Sequence, residues 1–173
     1  AWHLDSQGSI DAPGAMNEGL ADYFSSAITG DPKVGEYASK DINPSYDSIR
    51  TLDNQDKCLT TITGELHYDS TFFSGGLWSV RAALSAGDRS KFDAAVYKAM
   101  RMNPGSVDIG YEELVAMILD QLATALPTAK TALESEMGAR GILPKCDRTF
   151  VYGKDPIKAP SAQMAPGSFA APT

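Results

Sequence analysis

The stretch GAMNEGLADYF, from Gly14 to Phe24, predicts the first helix of this chain and carries its most informative polar residues. Apolar residues recur there at the spacing of a helix that buries one face, at Met16, Leu20, Tyr23, Phe24 and Ala27. Pro13 suits the first turn of a helix, and Gly30-Asp31-Pro32 ends one. The sequence therefore predicts a helix over about residues 14–28 with its apolar side toward a core.

Glu18 and Asp22 stand four residues apart on this helix, on the face opposite the apolar stripe. Taken alone, that spacing is typical of a solvated helix face with no chemical role. A metal site favours the same spacing, because one carboxylate can bind the ion while the other, one turn later, orients a second ligand. The sequence around the two carboxylates is needed to choose between a solvated face and a metal site.

In the rest of the chain, the spacing of apolar residues predicts a mainly α fold. Residues 31–63 are rich in turn-forming residues and show no sustained period, which indicates a long irregular loop. Helical stripes return at about residues 66–84, 90–102, 111–126 and 129–138. Residues 1–153 are expected to form one helical domain, and the Pro- and Ala-rich residues 154–173 a tail or linker.

The composition is that of a globular protein with an acidic surface. The 173 residues are 43% hydrophobic and 21% charged, with a formal net charge of −7. This balance argues against nucleic acid as a partner, because binding phosphates needs clustered Lys and Arg. No apolar run approaches the roughly 18 residues that span a membrane, so no membrane partner is expected.

A second stretch, TGELHYDSTFFSGGLWSVRAAL from Thr63 to Leu84, places His67 shortly before a long helical pattern. Together with Asn-Glu-x-x-x-Asp at residues 17–22, it resembles the thermolysin-like and fungalysin-like zinc metallopeptidases of the Glu-zincin clan. The resemblance spans roughly residues 1–145. It implies the helical C-terminal domain of a secreted zinc metalloendopeptidase that acts on peptide or protein substrates.

The resemblance implies a role for each of four residues. Glu18 matches the glutamate that ligates zinc, and Asp22 matches the acid that hydrogen-bonds a ligating histidine. His67 matches the histidine that stabilises the oxyanion of the tetrahedral intermediate, although helix capping or partial burial is its ordinary alternative. Arg50 matches the arginine that binds a substrate carbonyl, and a plain surface salt bridge explains it equally well.

The sequence also departs from the family. It has no His-Glu-x-x-His motif, which supplies two zinc ligands and the general base, and neither His3 nor His67 has a histidine four residues later. An upstream N-terminal part of the same peptidase is expected to provide that motif, so this chain alone is expected to be inactive. The alternatives are a catalytically inactive, peptidase-derived binding or structural domain, or an unrelated helical module.

One further departure concerns the support of His67. The family places an aspartate five residues before this histidine, whereas this chain has Ile62 there. Glu65 and Asp69 are the candidates to hold the imidazole in its place.

Two further expectations follow from the resemblance. In a secreted protein Cys58 and Cys146 are expected to form a disulfide, with two buried free thiols as the alternative. Closing so long a loop would stabilise the fold by about 4–5 kcal/mol on the chain-entropy model. Relatives bind calcium soon after the first helix, which makes the region of Asp31, Glu36 and Asp41 a candidate, although a solvated acidic loop is favoured.

Overall fold

A computed structural model describes residues 12–58, 60–61, 65–102, 109–143 and 146. The predicted mainly α fold is confirmed in this part of the chain. Its helices and strands are α1 (Ala12–Thr29), β1 (Lys33–Val34), α2 (Glu36–Ile42), β2 (Arg50–Thr51), α3 (Leu66–Asp69), α4 (Thr71–Ala83), α5 (Ala86–Met102), α6 (Tyr111–Ala125) and α7 (Pro127–Ala139). His3, Ile62 and the predicted tail at residues 154–173 lie outside the described residues.

The loop after α1 is more ordered than the sequence predicts. Strands β1 and β2 pair antiparallel, with Lys33 opposite Thr51 and Val34 opposite Arg50. Between them, Gly35 adopts a left-handed conformation with φ 74° and begins α2. A Cβ atom on Gly35 would lie 2.7 Å from the side chain of Ile49, so this turn suits glycine on two counts. Two-residue strands and a two-turn helix are too short to leave a period in the sequence.

Helix α4 is the centre of the bundle and packs on α1, α5 and α7. Every residue from Thr71 to Trp78 is buried. The small residues of its middle allow α7 and the preceding loop to approach closely. A Cβ atom on Gly75 would lie 2.6 Å from Asn54 Oδ1, and one on Gly76 would lie 3.0 Å from Met137 Cε. The Ser-Gly-Gly sequence therefore lets this helix serve as the core element.

Helices α5, α6 and α7 complete the bundle. α5 begins earlier than the predicted residue 90, because the Ser85 hydroxyl accepts a hydrogen bond from the Asp88 N–H and caps the helix. Pro127 begins α7, two residues before the predicted start at residue 129, since its missing N–H has no role in a first helical turn. Within the described residues, none of the helices is both long and apolar enough to cross a membrane.

The expected disulfide is present. Cys58 and Cys146 are joined, with their Cα atoms 5.8 Å apart, so the segment after β2 is tied to the segment after α7. Arg140 strengthens the same junction. Its guanidinium donates to the side-chain and backbone oxygens of Asn54, each at 2.8 Å, and its carbonyl accepts from the Cys58 N–H at 2.8 Å. The segment that follows Arg50 is therefore fixed covalently and by hydrogen bonds.

Candidate functional site

Helix α1 presents Glu18 at the surface while its apolar side is buried. Met16, Leu20 and Tyr23 are almost completely buried, as the period predicts. Gly19 lies against Ser70, where an added Cβ would be 3.2 Å from the Ser70 carbonyl oxygen. This close approach brings α1 next to the turn between α3 and α4. It thereby sets Glu18, one residue before Gly19, beside the residues of α3.

Asp22 is not on a solvated face. It is 4% exposed, and Arg50 from β2 binds it through two parallel hydrogen bonds, Nε to Oδ2 at 2.5 Å and Nη2 to Oδ1 at 2.7 Å. Arginine suits this role because its planar guanidinium matches both carboxylate oxygens at once. The pair joins α1 to β2 and uses two of the five N–H groups of the guanidinium. Arg50 is thus part of a largely buried ion pair rather than a plain surface salt bridge.

The charge around Arg50 shows which residues share its neighbourhood. Burial lowers the pKa of the Arg50 guanidinium, but the hydrogen bonds and charge of Asp22 raise it, and the nearby charges of Glu18 and Glu65 raise it further. The net result is a raised pKa. Three carboxylates from two parts of the chain, α1 and the start of α3, therefore act on one guanidinium, so the site has more negative than positive charge.

His67, on α3, lies between two carboxylates. Its Nε2 atom is 3.3 Å from Glu18 Oε2, and its Nδ1 atom is 2.6 Å from Glu65 Oε1. The imidazole is half-exposed, with 50% of its side-chain surface accessible, and Glu18 retains 32%. Both groups are therefore held in place by neighbours while they remain reachable from solvent.

The structure thus brings together all four residues that the sequence singled out. Glu18 and His67 are in contact, and Asp22 is bound to Arg50 one helical turn away on α1. One predicted role stays a prediction. Asp22 was expected to orient a ligating histidine that is not in these 173 residues, and within the described residues its carboxylate is bound to Arg50.

Sequence reasoning left the support of His67 open between Glu65 and Asp69, and the geometry favours Glu65. Asp69 is buried with 1% exposure, whereas the Glu65 carboxylate contacts the imidazole directly. The signal in the sequence was weak, because any acidic residue ahead of a helix is typical of capping. Glu65 does cap α3 as well, since it accepts from the Tyr68 N–H at 3.1 Å.

The region of Asp31, Glu36 and Asp41, which is the candidate calcium site, has less geometric support than the contact between Glu18 and His67. Asp31 accepts a hydrogen bond from the backbone N–H of Lys33 at 2.9 Å. Glu36 and Asp41 line a surface depression of about 740 Å³ that also contains Lys33 and Lys40. Within the described ranges, no group of three His, Cys, Asp or Glu side chains is placed to hold a metal ion. The calcium site therefore stays a prediction, in a region whose side chains carry both charges.

Comparisons of this chain with protein-family models, with curated proteins and with solved structures find no match. Any functional assignment consequently depends on the residues themselves and on their arrangement around Glu18 and His67.

Proposed function

We propose that this chain is the C-terminal part of a secreted zinc metalloendopeptidase, in which Glu18 is a zinc ligand and His67 stabilises the oxyanion. The observation that carries the proposal is the contact between Glu18 Oε2 and His67 Nε2 at 3.3 Å. In a hydrolytic site the metal and the oxyanion donor act on the same carbonyl group, so their protein ligands have to lie within reach of each other. Two stretches that are distant in the sequence meet that requirement.

This chain offers a suitable type of zinc ligand, but fewer ligands than a zinc site usually has. A partly exposed carboxylate such as that of Glu18 is an ordinary zinc ligand, but zinc sites usually have at least three protein ligands. The two missing ligands would be the histidines of a His-Glu-x-x-His motif outside these 173 residues. When bound, zinc polarises the scissile carbonyl and lowers the pKa of a bound water.

Three residues of this chain would have roles in metal binding, catalysis and substrate binding. Glu18 contributes negative charge to the metal site, and its position is fixed by the close packing of α1 on Ser70. His67 donates a hydrogen bond from Nε2 to the oxygen that becomes negative in the intermediate. Arg50 is held by Asp22 through one edge of its guanidinium, and its other N–H groups would bind a substrate carbonyl.

Two further features support the proposal. The Cys58–Cys146 disulfide is typical of proteins that fold in an oxidising compartment, as a secreted peptidase does. The bridge also fixes the segment behind Arg50, which a substrate-binding residue requires.

The test uses the complete gene product that contains these residues, and measures its zinc content and its hydrolysis of a library of quenched fluorescent peptides. Glu18→Gln should lose both zinc and activity. His67→Phe should keep its zinc while kcat falls by about 10²–10³-fold, as expected for loss of an oxyanion donor. Glu134→Gln, an exposed glutamate on α7, is the matched control and should change neither.

A non-catalytic helical domain is the second candidate, and one observation favours it. Glu18 and Asp22 both have partners within the described residues, His67 and Arg50, and such pairs stabilise a fold without any metal. A gene product that binds no zinc and cleaves no peptide, but is destabilised by these substitutions, would contradict the peptidase proposal and support this one.

A further inference from the structure

Residues 33–49, from β1 to the loop before β2, form an exposed apolar surface, the α2 surface. Four large apolar side chains are exposed there: Tyr37, Ile42, Tyr46 and Ile49. They are half of the exposed large apolar residues in the described part of the chain, and Tyr37 is 94% exposed. Single exposed apolar residues are ordinary, but such a concentration in one short segment marks an interaction surface.

Backbone and side-chain contacts hold this segment together. The buried Ser39 hydroxyl lies 3.1 Å from the Tyr46 carbonyl oxygen, which keeps the turn after α2 against the helix. The Ile49 N–H donates to the Val34 carbonyl at 2.9 Å, and the Ile49 side chain covers Gly35. The exposed apolar side chains are therefore carried by one compact segment.

Charged side chains of both signs lie around the exposed tyrosine of α2. They line the same depression and are Lys33, Glu36, Lys40, Asp41 and Asp47. Lys33 and Asp47 are 3.8 Å apart and both exposed, so their pairing is weak. Within the described residues, the side chains of Glu36, Lys40 and Asp41 form no ion pair. These charges are therefore available to a partner.

The balance of charge at the α2 surface differs from that of the chain. Two bases and three acids leave a local charge of −1, whereas the whole chain carries −7. The repulsion that the net charge produces between two copies of the chain is therefore small at this surface.

We propose that the α2 surface binds a second copy of this chain, with the two α2 helices antiparallel across a twofold axis. Each copy then offers the same surface, so a surface with both signs of charge is complementary to itself. The last turn of one helix lies beside the first turn of the other, which brings Lys40 of one copy next to Glu36 of the other. The inference does not depend on the proposed function, because residues 33–49 include none of its site residues.

The charges make other classes of partner less suitable. Three carboxylates repel phosphate groups, which disfavours nucleic acid and anionic membranes. A strongly basic protein would be repelled by the two lysines, and a strongly acidic one by the three carboxylates. A second copy matches both signs at once.

The size of the α2 surface sets the expected affinity. The segment is shorter than the roughly 20–30 residues that each side of a standard interface contributes, so we expect a weak dimer with a dissociation constant on the order of 10–100 µM. Sedimentation equilibrium of the 173-residue chain measures it. The mass should rise from 18.4 kDa toward twice that value as the protein concentration passes through this range.

The first variant removes the exposed aromatic side chain. Tyr37→Ser should raise the dissociation constant by about 30-fold or more, because a large aromatic residue near the centre of an interface contributes much of its affinity. Tyr97→Ser, at an exposed tyrosine on α5, is the matched control and should leave the dissociation constant unchanged.

The second test uses charge reversal at the two ends of α2. Lys40→Glu alone and Glu36→Lys alone should each stay monomeric where wild type is dimeric, since like charges then face each other across the axis. An equimolar mixture of the two variants should restore the dimer, because opposite charges face each other in the mixed pair. Each substitution acts on its own helix equally in both samples, so recovery on mixing has to come from contact between copies.

Urea unfolding of each variant checks that the chain is folded. Wild type that remains monomeric at about 1 mM, at least tenfold above the expected dissociation constant, would overturn the inference. The same conclusion would follow from a dimer that Tyr37→Ser does not weaken, or from a mixture of the two charge variants that stays monomeric.

Discussion

Two neighbouring residues of α1, Asp22 and Tyr23, lead to two arginine–aspartate pairs that have the same chemistry and different surroundings. Asp22 accepts two hydrogen bonds from Arg50 at the edge of the candidate site. Tyr23 donates to Asp93 at 2.5 Å, and Asp93 in turn accepts two hydrogen bonds from Arg81. One residue of the helix therefore faces the site, and the next faces the junction of α1 with α4 and α5.

The pair at Arg81 has a balanced charge, and the Arg81 and Asp93 side chains are 9% and 24% exposed. Arg81 also donates to the Ala27 carbonyl at 3.0 Å and lies over the ring of Trp78 at 5.5 Å. Burial, followed by the hydrogen bond and charge of Asp93, raises the pKa of Tyr23 well above its ordinary value, so the phenol is neutral. One carboxylate faces one guanidinium here, and the network holds three helices together.

The pair at Arg50 is also largely buried, with the Arg50 and Asp22 side chains 13% and 6% exposed, but its charge is unbalanced. Glu18, Asp22 and Glu65 together place three carboxylates around one guanidinium, and Glu18 remains partly exposed beside His67. The difference shows how one helix can both stabilise the bundle and present reactive groups. The balanced pair is suited to stability, and the unbalanced one retains charge for a ligand.

Removing the disulfide should have the largest effect on this comparison. Cys58→Ser with Cys146→Ser should lower the free energy of unfolding by about 4 kcal/mol, because a long loop is no longer closed in the unfolded chain. Urea unfolding measures the loss, and reduced wild type should reproduce it. Hydrogen exchange should increase first around Arg50 rather than around Arg81. Equal increases at both pairs would contradict the idea that the bridge supports only the unbalanced pair at Arg50.

Breaking the balanced pair at Arg81 comes next. Arg81→Met should lower the free energy of unfolding by about 3 kcal/mol, because Asp93 is left without its counter-charge in a mostly buried place. Lys98→Met, at an exposed position on α5, is the control and should change stability by less than about 0.5 kcal/mol. A loss in Arg81→Met no greater than that of the control would show that the network does not join the helices.

Breaking the unbalanced pair at Arg50 should lower the free energy of unfolding by less. Arg50→Met should lower the free energy of unfolding by about 2 kcal/mol, because it loses two hydrogen bonds rather than three and no aromatic contact. A double-mutant cycle with Asp22→Asn should give a coupling energy of about 1–2 kcal/mol, measured by urea unfolding. A coupling near zero would mean that Asp22 and Arg50 do not form the pair in solution.

The smallest effect should be the pH dependence at Glu65. Its pKa in the folded chain is below the ordinary value of 4.5, so the stabilisation is present above the unfolded pKa and is lost as the pH falls through the folded pKa. Because Glu65 is half-exposed, Glu65→Gln should cost only about 0.3 kcal/mol at pH 7. The difference from wild type should disappear as the pH falls through the folded pKa, and a difference that grows on acidification would contradict the assignment.

The main features of the bundle could be predicted from local pattern. Helix α1 and the last helices have stripes of buried residues with the spacing of a helix, and such stripes can be recognised without knowledge of their partners. Helix α2 and the two strands could not be predicted in this way. They are held by Gly35 in a left-handed turn and by a pairing between residues that are distant in the sequence.

The site shows a similar division. The sequence singled out Glu18, Asp22, Arg50 and His67 by type and by flanking residues, and it left the support of His67 open. The Tyr23–Asp93–Arg81 network could not be recognised in the sequence. Tyr23 and Asp93 are 70 residues apart, Arg81 and Asp93 are 12 residues apart, and each residue is of an ordinary type for its own helix.

By itself, the sequence determined the helical class, the apolar faces and the inventory of reactive side chains, because these depend on residues within one or two helical turns. The disulfide followed once an oxidising compartment was assumed. Only the tertiary structure decided that Asp22 binds Arg50, that Glu65 rather than Asp69 holds His67, and that Glu18 reaches the same imidazole. These contacts depend on how closely α1 approaches Ser70 through Gly19, and a distance between helices is set by packing across the whole core.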